Sequence, residues 1–362
     1  MMKKFPFLLI ISFLILNCSS NSNNETDETL SNTEENLYFP PINSDNWETK
    51  TLAEAGWNES QLQSLLDFLD EKNTKGFIML HNGKIVVESY MNGHNANSIW
   101  YWASAGKTLT ATVSGIAQDE GFLNIENKVS DYIGTGWTSA TLNKENLITC
   151  KHLLSMTSGL DDETGDDVSP ENLQYLADAD TRWAYHNVYV KMQDVVAQAT
   201  GQDWDTYFNE KLRDKIGMTG SWVNLNALSV YWSNTRSMAR FGLMTLANGK
   251  WEDQQIINES YTNQATNTSQ NINLAYGYLW WLNGKSSFHL PTTQVEFTGE
   301  LIPNAPADMF AGLGKNDQKV YVVPSKNIVV IRMGEVANPD NSSFGLSGFD
   351  NDLWQKINAV IN

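Results

Sequence analysis

Two β-hairpin signals stand at opposite ends of this 362-residue chain, and whatever fold it adopts has to place both. The first, GFIMLHNGKIVVESYMNG, sets two apolar runs around Asn82-Gly83, the dipeptide that most favours a two-residue turn. The second, QKVYVVPSKNIVVIRMGE, turns at Pro324 to Asn327. Between them, from about 148 to 265, the texture is helical. TCKHLLSMTSGL, NVYVKMQDVVAQATG, DWDTYFNEKLRDKIG and TRSMARFGLMTLANG repeat apolar residues at three-to-four spacing and end near Gly or Asn. NESQLQSLLDFLDEKN puts Leu62, Leu65, Leu66 and Leu69 on one helical face behind Asn58 or Ser60 as N-cap, and NDLWQKINAVI reads as a last helix. The order strands, helix, helical insert, strands, helix describes an α+β unit whose sheet draws on both ends of the chain.

The N-terminus points to a compartment. Lys3 and Lys4 precede an apolar stretch, Phe5 to Leu16, that is short for a membrane span and is interrupted by Pro6 and Ser12. Cys18 follows in LILNCSS, a pattern that resembles a bacterial lipoprotein signal in which Cys18 is the lipidated first residue. Residues 18–40 contain SSNSNNETDETLSNTEEN (19–36), too polar to offset its own ordering entropy, and are expected to be a flexible tether. The expected divisions are therefore a signal over 1–17, a tether over 18–40 and one folded domain over 41–362. Within that domain an α/β lobe takes about 41–147 and 275–362, and a helical lobe about 148–274.

Net charge is -18, and loss of residues 1–17 removes two lysines and no acids. Such an acidic chain is a poor partner for nucleic acid or an anionic membrane surface. Cys150 is the only other cysteine, so with Cys18 lipidated no intrachain disulfide is expected in the mature chain. The five histidines, at 81, 94, 152, 186 and 289, show no HExxH or paired spacing, and neither a metal nor another cofactor is expected. The acidic run DDETGDD, Asp161 to Asp167, lacks EF-hand alternation and reads as a solvated loop. Of the many tryptophans, Trp100, Trp102, Trp183, Trp280 and Trp281 are candidates for cleft walls as well as for packing.

The chemistry centres on YWASAGKTLTATVSGIAQDEG. Lys107 to Ala117 reads as a buried helix, stopping at Gly121, yet it opens on a lysine three residues after Ser104. A desolvated lysine tends to lose its proton, and at i and i+3 the two side chains share a helical face. Ser104 is the only serine in the chain with lysine three positions on, and a helix start favours a developing oxyanion. Tyr185 and Asn187 in RWAYHNVYV form one of several Tyr-x-Asn triplets; the others are at Tyr90, Tyr207 and Tyr261. This one falls in a bend ahead of a helix that Asn187 is placed to cap, presenting a phenol and an amide to a cleft.

Together, SAGKTLTA, ITCKHLLSMTSGL, YHN, DKIGMTGSW and GLGKNDQKVYVVPSKNIVVI resemble, in this order, the serine β-lactamase-like hydrolases. These include class C β-lactamases, DD-peptidases, family VIII esterases and 6-aminohexanoate-oligomer hydrolases. The resemblance runs from about Trp47 to the C-terminus. It implies a β-lactamase/transpeptidase-like fold, an antiparallel sheet flanked by helices with an inserted all-helical lobe. It also implies that Ser104 is the acylated nucleophile, that Lys107 and Tyr185 carry the proton as a coupled pair, and that Asn187 orients the substrate amide or Lys107.

One family motif is missing. Where Lys-Thr-Gly would face the serine stands FAGLG, Phe310 to Gly314, with Lys315 out of register. Backbone around Gly312 and Leu313 is still placed to complete an oxyanion hole, but the cation and hydroxyl that bind a substrate carboxylate are gone. The expectation is a lipid-anchored enzyme of a bacterial cell envelope acting on a small ester or amide, with oligomeric state left open. The alternatives are a β-lactamase or DD-peptidase, or a non-catalytic penicillin-binding-like sensor.

Overall fold

The computed structural model describes residues 36–338 and 348–362. The signal, Cys18 and most of the tether lie outside the described residues. The first half of the chain carries α1 (Leu62–Glu71), β1 (Thr74–His81), β2 (Lys84–Tyr90), β3 (Trp100–Tyr101) and α2 (Lys107–Asp119). Then come α3 (Ser130–Ile133), α4 (Leu142–Glu145), α5 (Cys150–Leu154), α6 (Tyr189–Thr200) and α7 (Trp204–Phe208). A mixed stretch follows: β4 (Ser221–Leu225), β5 (Leu228–Ser233), α8 (Thr235–Leu246), β6 (Lys250–Trp251), β7 (Gln254–Gln255) and α9 (Glu259–Ala265). The chain closes with β8 (Trp281–Leu282), β9 (Ser287–His289), β10 (Glu296–Thr298), β11 (Phe310–Gly314), β12 (Gln318–Val323), β13 (Ile328–Gly334) and α10 (Gly348–Ile361).

The two hairpins meet in one antiparallel sheet of order β2-β1-β13-β12-β11-β8. β1 lies against β13 with Ile78 opposite Ile331 and Leu80 opposite Val329. Asn82 and Gly83 turn at φ 51° and 81°, the left-handed pair a two-residue turn requires. The second hairpin turns through Pro324–Lys326 into Asn327 at φ 50°.

Both faces of this sheet are covered, which is why β12 and β13 are buried along their whole length. Side chains alternate across a strand. On β12, Val320 faces α8, whose Gly242 comes so close that an added Cβ would stand 2.6 Å from Val329 Cγ1. Its neighbours Lys319 and Tyr321 point the other way, to Asp350 of α10. There the buried Lys319 ammonium lies 2.9 Å from Asp350 and 3.2 Å from Asp317, and the Tyr321 hydroxyl donates to Asp350 at 2.6 Å. A buried charge is tolerable only with such partners.

The structure differs from the sequence reading in the middle of the chain. The segment 148–274 is not all helical, because β4 and β5 pair with β3 in a three-stranded sheet of order β3-β5-β4. SWVNLNALSVYWS carries the alternation of a strand pair on either side of Asn226, which turns at φ 56°. Nor does all of it belong to the inserted lobe, since α8 packs on β1, β12 and β13. The ordered chain also starts ahead of residue 41. Tyr38 N–H donates to the Asn82 carbonyl at 3.0 Å, and Phe39 packs on Trp251 at 5.3 Å. Arg240 of α8 holds the carbonyls of Pro40, Pro41 and Ser44.

Candidate active site

Ser104 stands on a single 3-10 turn, Ala103–Gly106, that feeds into α2, rather than on the α-helix itself. The turn is entered sharply: Ala103 is left-handed at φ 47°, a conformation costing roughly 1–2 kcal/mol for a residue with a Cβ. Strain of this kind persists only where neighbours over-determine it. Here β5 holds the preceding residue twice. Trp102 N–H donates to the Tyr231 carbonyl at 2.9 Å, and its indole N–H donates to Ser233 Oγ at 2.7 Å. The result is a half-buried Ser104 ahead of the buried Ala105 and Gly106.

Lys107 begins α2, whose residues are buried from Lys107 through Ala117. Burying Leu109, Val113 and Ile116 stabilises the helix by roughly 1.5–3 kcal/mol each, enough to hold a lysine at its head in an apolar setting. Lys107 Nζ donates to Ser104 Oγ at 2.8 Å. Among the described residues no carboxylate bonds to it. Burial pushes the ammonium down to about 7, and the charge of Asp166 opposes that shift only in part. Its nitrogen instead faces two aromatic rings, 4.9 Å from the Tyr185 centroid and 4.6 Å from that of Tyr189.

Tyr185 lies in the bend ahead of α6, its phenol near enough to the Ser104 side chain to feel it. Burial pushes that phenol up to about 12, and the nearby Ser104 hydroxyl works against the rise. The ring is stacked on Trp281 at 5.8 Å and meets Tyr276 edge-on at 6.2 Å. Trp183 closes the same wall at 6.2 Å. Trp102, Trp183, Trp280 and Trp281 are all buried, so these candidates are packing and wall residues, while Trp100 is half-buried.

Three of the sequence-derived residues, Ser104, Lys107 and Tyr185, thus converge. Asn187 does not join them in the way the sequence suggested. Val188 occupies the N-cap of α6 and no side chain caps it. The Asn187 amide turns to Asp166, donating to Oδ1 at 3.1 Å and to the carbonyl at 3.3 Å. The acidic loop is accordingly not a simply solvated one. Asp162 of the same loop is half-buried, with its carboxylate tucked in and paired with Arg182 at 2.6 Å. Asp166 and Tyr189 are site neighbours that the sequence reading passed over.

Gly312 and Leu313 lie on β11, which runs along the Ser104 turn. A Cβ on Gly314 would stand 2.4 Å from the Trp102 carbonyl oxygen, so only glycine permits this approach. Main-chain N–H groups alternate between the edges of a strand. The Asn283 N–H donates to Met309, which turns residues 309, 311 and 313 toward β8. Opposite Leu313 that edge is unpaired by β8: Leu279 is left-handed at φ 60° and donates instead to Leu154. The Leu313 N–H therefore projects past the end of β8. Gly312 points its own N–H the other way, into the ladder with Val320 of β12. Phe310, on the same face as Gly312, is buried edge-on against Trp280 at 5.2 Å. Among the described residues, no group of His, Cys, Asp and Glu is placed to hold a metal ion.

Comparison with known proteins gives this geometry a context. Residues 73–343 match a family model described as Beta-lactamase. No curated protein matches the chain. Among solved structures, it is similar to a chain from Bacillus anthracis described as a candidate 6-aminohexanoate-dimer hydrolase, at 19% identity and TM-score 0.65, covering 89% of this chain and 88% of that one. A candidate beta-lactamase from Bacteroides dorei gives 16% identity and TM-score 0.67, over 84% of this chain and 99% of that one. EstCE1, a hydrolase with promiscuous acyltransferase activity, gives 12% identity and TM-score 0.60, over 85% and 98%. At these identities the shared property is the fold.

Proposed function

Because the chain belongs to the beta-lactamase family of serine hydrolases, we propose that it hydrolyses an ester or an uncharged amide through an acyl-enzyme on Ser104. The observation that carries this reading is the 2.8 Å contact between Lys107 and Ser104 at a buried position where, among the described residues, no carboxylate bonds the amine. Near neutral pH a large share of such a lysine is neutral, so Lys107 is the group that takes the serine proton. Ser104 Oγ bonds to the substrate carbonyl carbon, and the oxyanion rests on the N–H groups of Ser104 and Leu313. Tyr185, protonated at this pH, gives its proton to the departing alcohol or amine and is reprotonated from Lys107. Water then attacks the acyl carbon and loses a proton to the Lys107–Tyr185 pair; the Ser104 Oγ–carbon bond breaks, Oγ takes that proton back, and the acid is released.

The choice of substrate follows from β11. A β-lactam or a peptide C-terminus must dock a carboxylate, and a charge-assisted contact contributes roughly 1.5–3 kcal/mol. With Phe310 packed on Trp280 where the family's lysine would stand, that contact is missing. At about 1.4 kcal/mol per tenfold, the loss amounts to roughly ten- to a hundredfold in binding. A panel of p-nitrophenyl esters, a linear uncharged amide and nitrocefin is expected to show clear turnover of short acyl esters or of the amide, with nitrocefin far behind. Installing Phe310→Lys with Ala311→Thr should narrow the gap. Nitrocefin turnover by the unaltered protein equal to its best ester would favour a β-lactamase instead, and binding without turnover of any member would favour a sensor.

The cell envelope is part of the same proposal, supported by the sequence around Cys18. Metabolic labelling with a radioactive fatty acid is expected to mark the parent and to be lost in Cys18→Ala. Equal labelling of both would remove the anchor.

A further inference from the structure

Lys107 has an unusual requirement. When it accepts the serine proton it becomes an ammonium in a buried site, 3% exposed, with no carboxylate of the described residues bonded to it. The groups around it can be enumerated. Ser104 is its hydrogen-bond partner, Tyr185 and Tyr189 turn ring faces to it, Asp166 acts at longer range from the acidic loop, and His186 lies near enough to feel its charge. His186 is itself held toward its neutral form, by burial first, so it adds little repulsion. What remains to balance the new cation at close range is the pair of rings, and in the proposed mechanism Tyr185 is occupied with its own proton.

We infer that Tyr189 is a positioning residue for Lys107, its ring face holding the amine on Ser104 and stabilising the ammonium as it forms. This role rests on the proposal that Lys107 takes the serine proton. Two observations support it. Lys107 Nζ lies 4.6 Å from the Tyr189 centroid, slightly nearer than to Tyr185, well inside the range of a cation–π contact. The ring is also fixed: Tyr189 is buried at the head of α6, and its hydroxyl donates to the Ser229 carbonyl of β5 at 2.7 Å. β5 is the strand that holds Trp102, and through it the Ser104 turn. One strand therefore references both the serine and the ring to the same frame, with the amine between them. Only the ring face acts on the ammonium; the hydroxyl is the anchor.

The pH profile of kcat/KM for an uncharged p-nitrophenyl ester separates this role from packing. The acidic limb reports loss of the neutral amine as pH falls. A ring face favours the ammonium, so removing it lowers the amine's ionisation constant and moves the limb to lower pH. In the full chain, Tyr189→Leu is expected to move the limb down by about one pH unit and to lower the plateau by about tenfold or more. Tyr189→Phe keeps the face and is expected to leave the limb where it is, whatever rate it loses with the Ser229 bond. Fluorinated phenylalanines at 189 keep the volume while draining the face, so they should move the limb in graded steps even if the leucine variant fails to fold. A limb unmoved across the fluorinated series overturns the inference, as does a phenylalanine variant whose limb shifts as far as that of leucine. If the parent has no acidic limb near neutral pH, or if Ser104→Ala stays active, the assignment of Lys107 and Ser104 falls first.

Discussion

Ser104→Ala is expected to lower ester turnover by about 10⁴- to 10⁶-fold, the range seen when a serine nucleophile is removed from a unit of cooperating groups. The fold should be untouched. Ser104 is half-buried on a 3-10 turn whose geometry is set by Trp102 and β5, and alanine tolerates that turn as well as serine does. No other serine in the chain has a lysine three positions on to replace it. Steady-state rates, with far-UV circular dichroism and thermal unfolding as controls, decide the matter. A variant that folds and keeps more than about a hundredth of the parent rate would place the nucleophile elsewhere.

The second large effect belongs to the proton carriers. Lys107→Ala and Tyr185→Phe should each lower the acylation rate by about a hundredfold to ten-thousandfold, the usual span for a positioned acid or base. Lys107 bonds the Ser104 oxygen at 2.8 Å, and the Tyr185 ring lies 4.9 Å from the Lys107 amine. Removing either breaks the same proton path. The double variant should therefore lose far less than the product of the single losses. Pre-steady-state burst kinetics on a p-nitrophenyl ester measure the three rates. Full multiplicativity would mean that the two groups act on separate steps, and a loss confined to thermal stability would leave them as packing residues. The pH dependence adds a sign. Burial brings the Lys107 amine to about 7, so activity should be lost as pH falls through that value, and this limb should vanish in Lys107→Ala. Tyr185, pushed up to about 12, contributes no limb in the neutral range.

Much of this site was readable in the sequence because its logic is local. An i,i+3 spacing brings Ser104 and Lys107 together without any knowledge of the rest of the chain, and the apolar run that follows makes the lysine's burial legible. The two hairpins announce themselves through Asn82-Gly83 and Pro324 to Asn327, but nothing local says that β1 and β13 lie side by side. That follows only from the need to cover a sheet on both faces. The failures have the same cause. Asn187 has the chemistry of a cap, but a loop remote in sequence supplies Asp166 as a better partner for its amide. Tyr189 reads as an ordinary residue in a helix, and its ring matters only because tertiary packing brings Lys107 over it. SWVNLNALSVYWS was lost among helices because its pairing partner, β3, is a two-residue strand far upstream. α8 looks like its helical neighbours in sequence, and Gly242 shows its true contact only once Val329 is in place.

The proposed acyl-enzyme is a covalent bond to one oxygen, Ser104 Oγ. Intact-mass spectrometry of the protein quenched in acid during turnover of a slow p-nitrophenyl ester, followed by peptide mapping, observes that bond directly. The predicted result is a mass increase equal to one acyl group less one hydrogen, mapped to the peptide carrying Ser104 and absent from Ser104→Ala. An adduct of that mass on any other residue of the parent, or the same adduct persisting in Ser104→Ala, would contradict it.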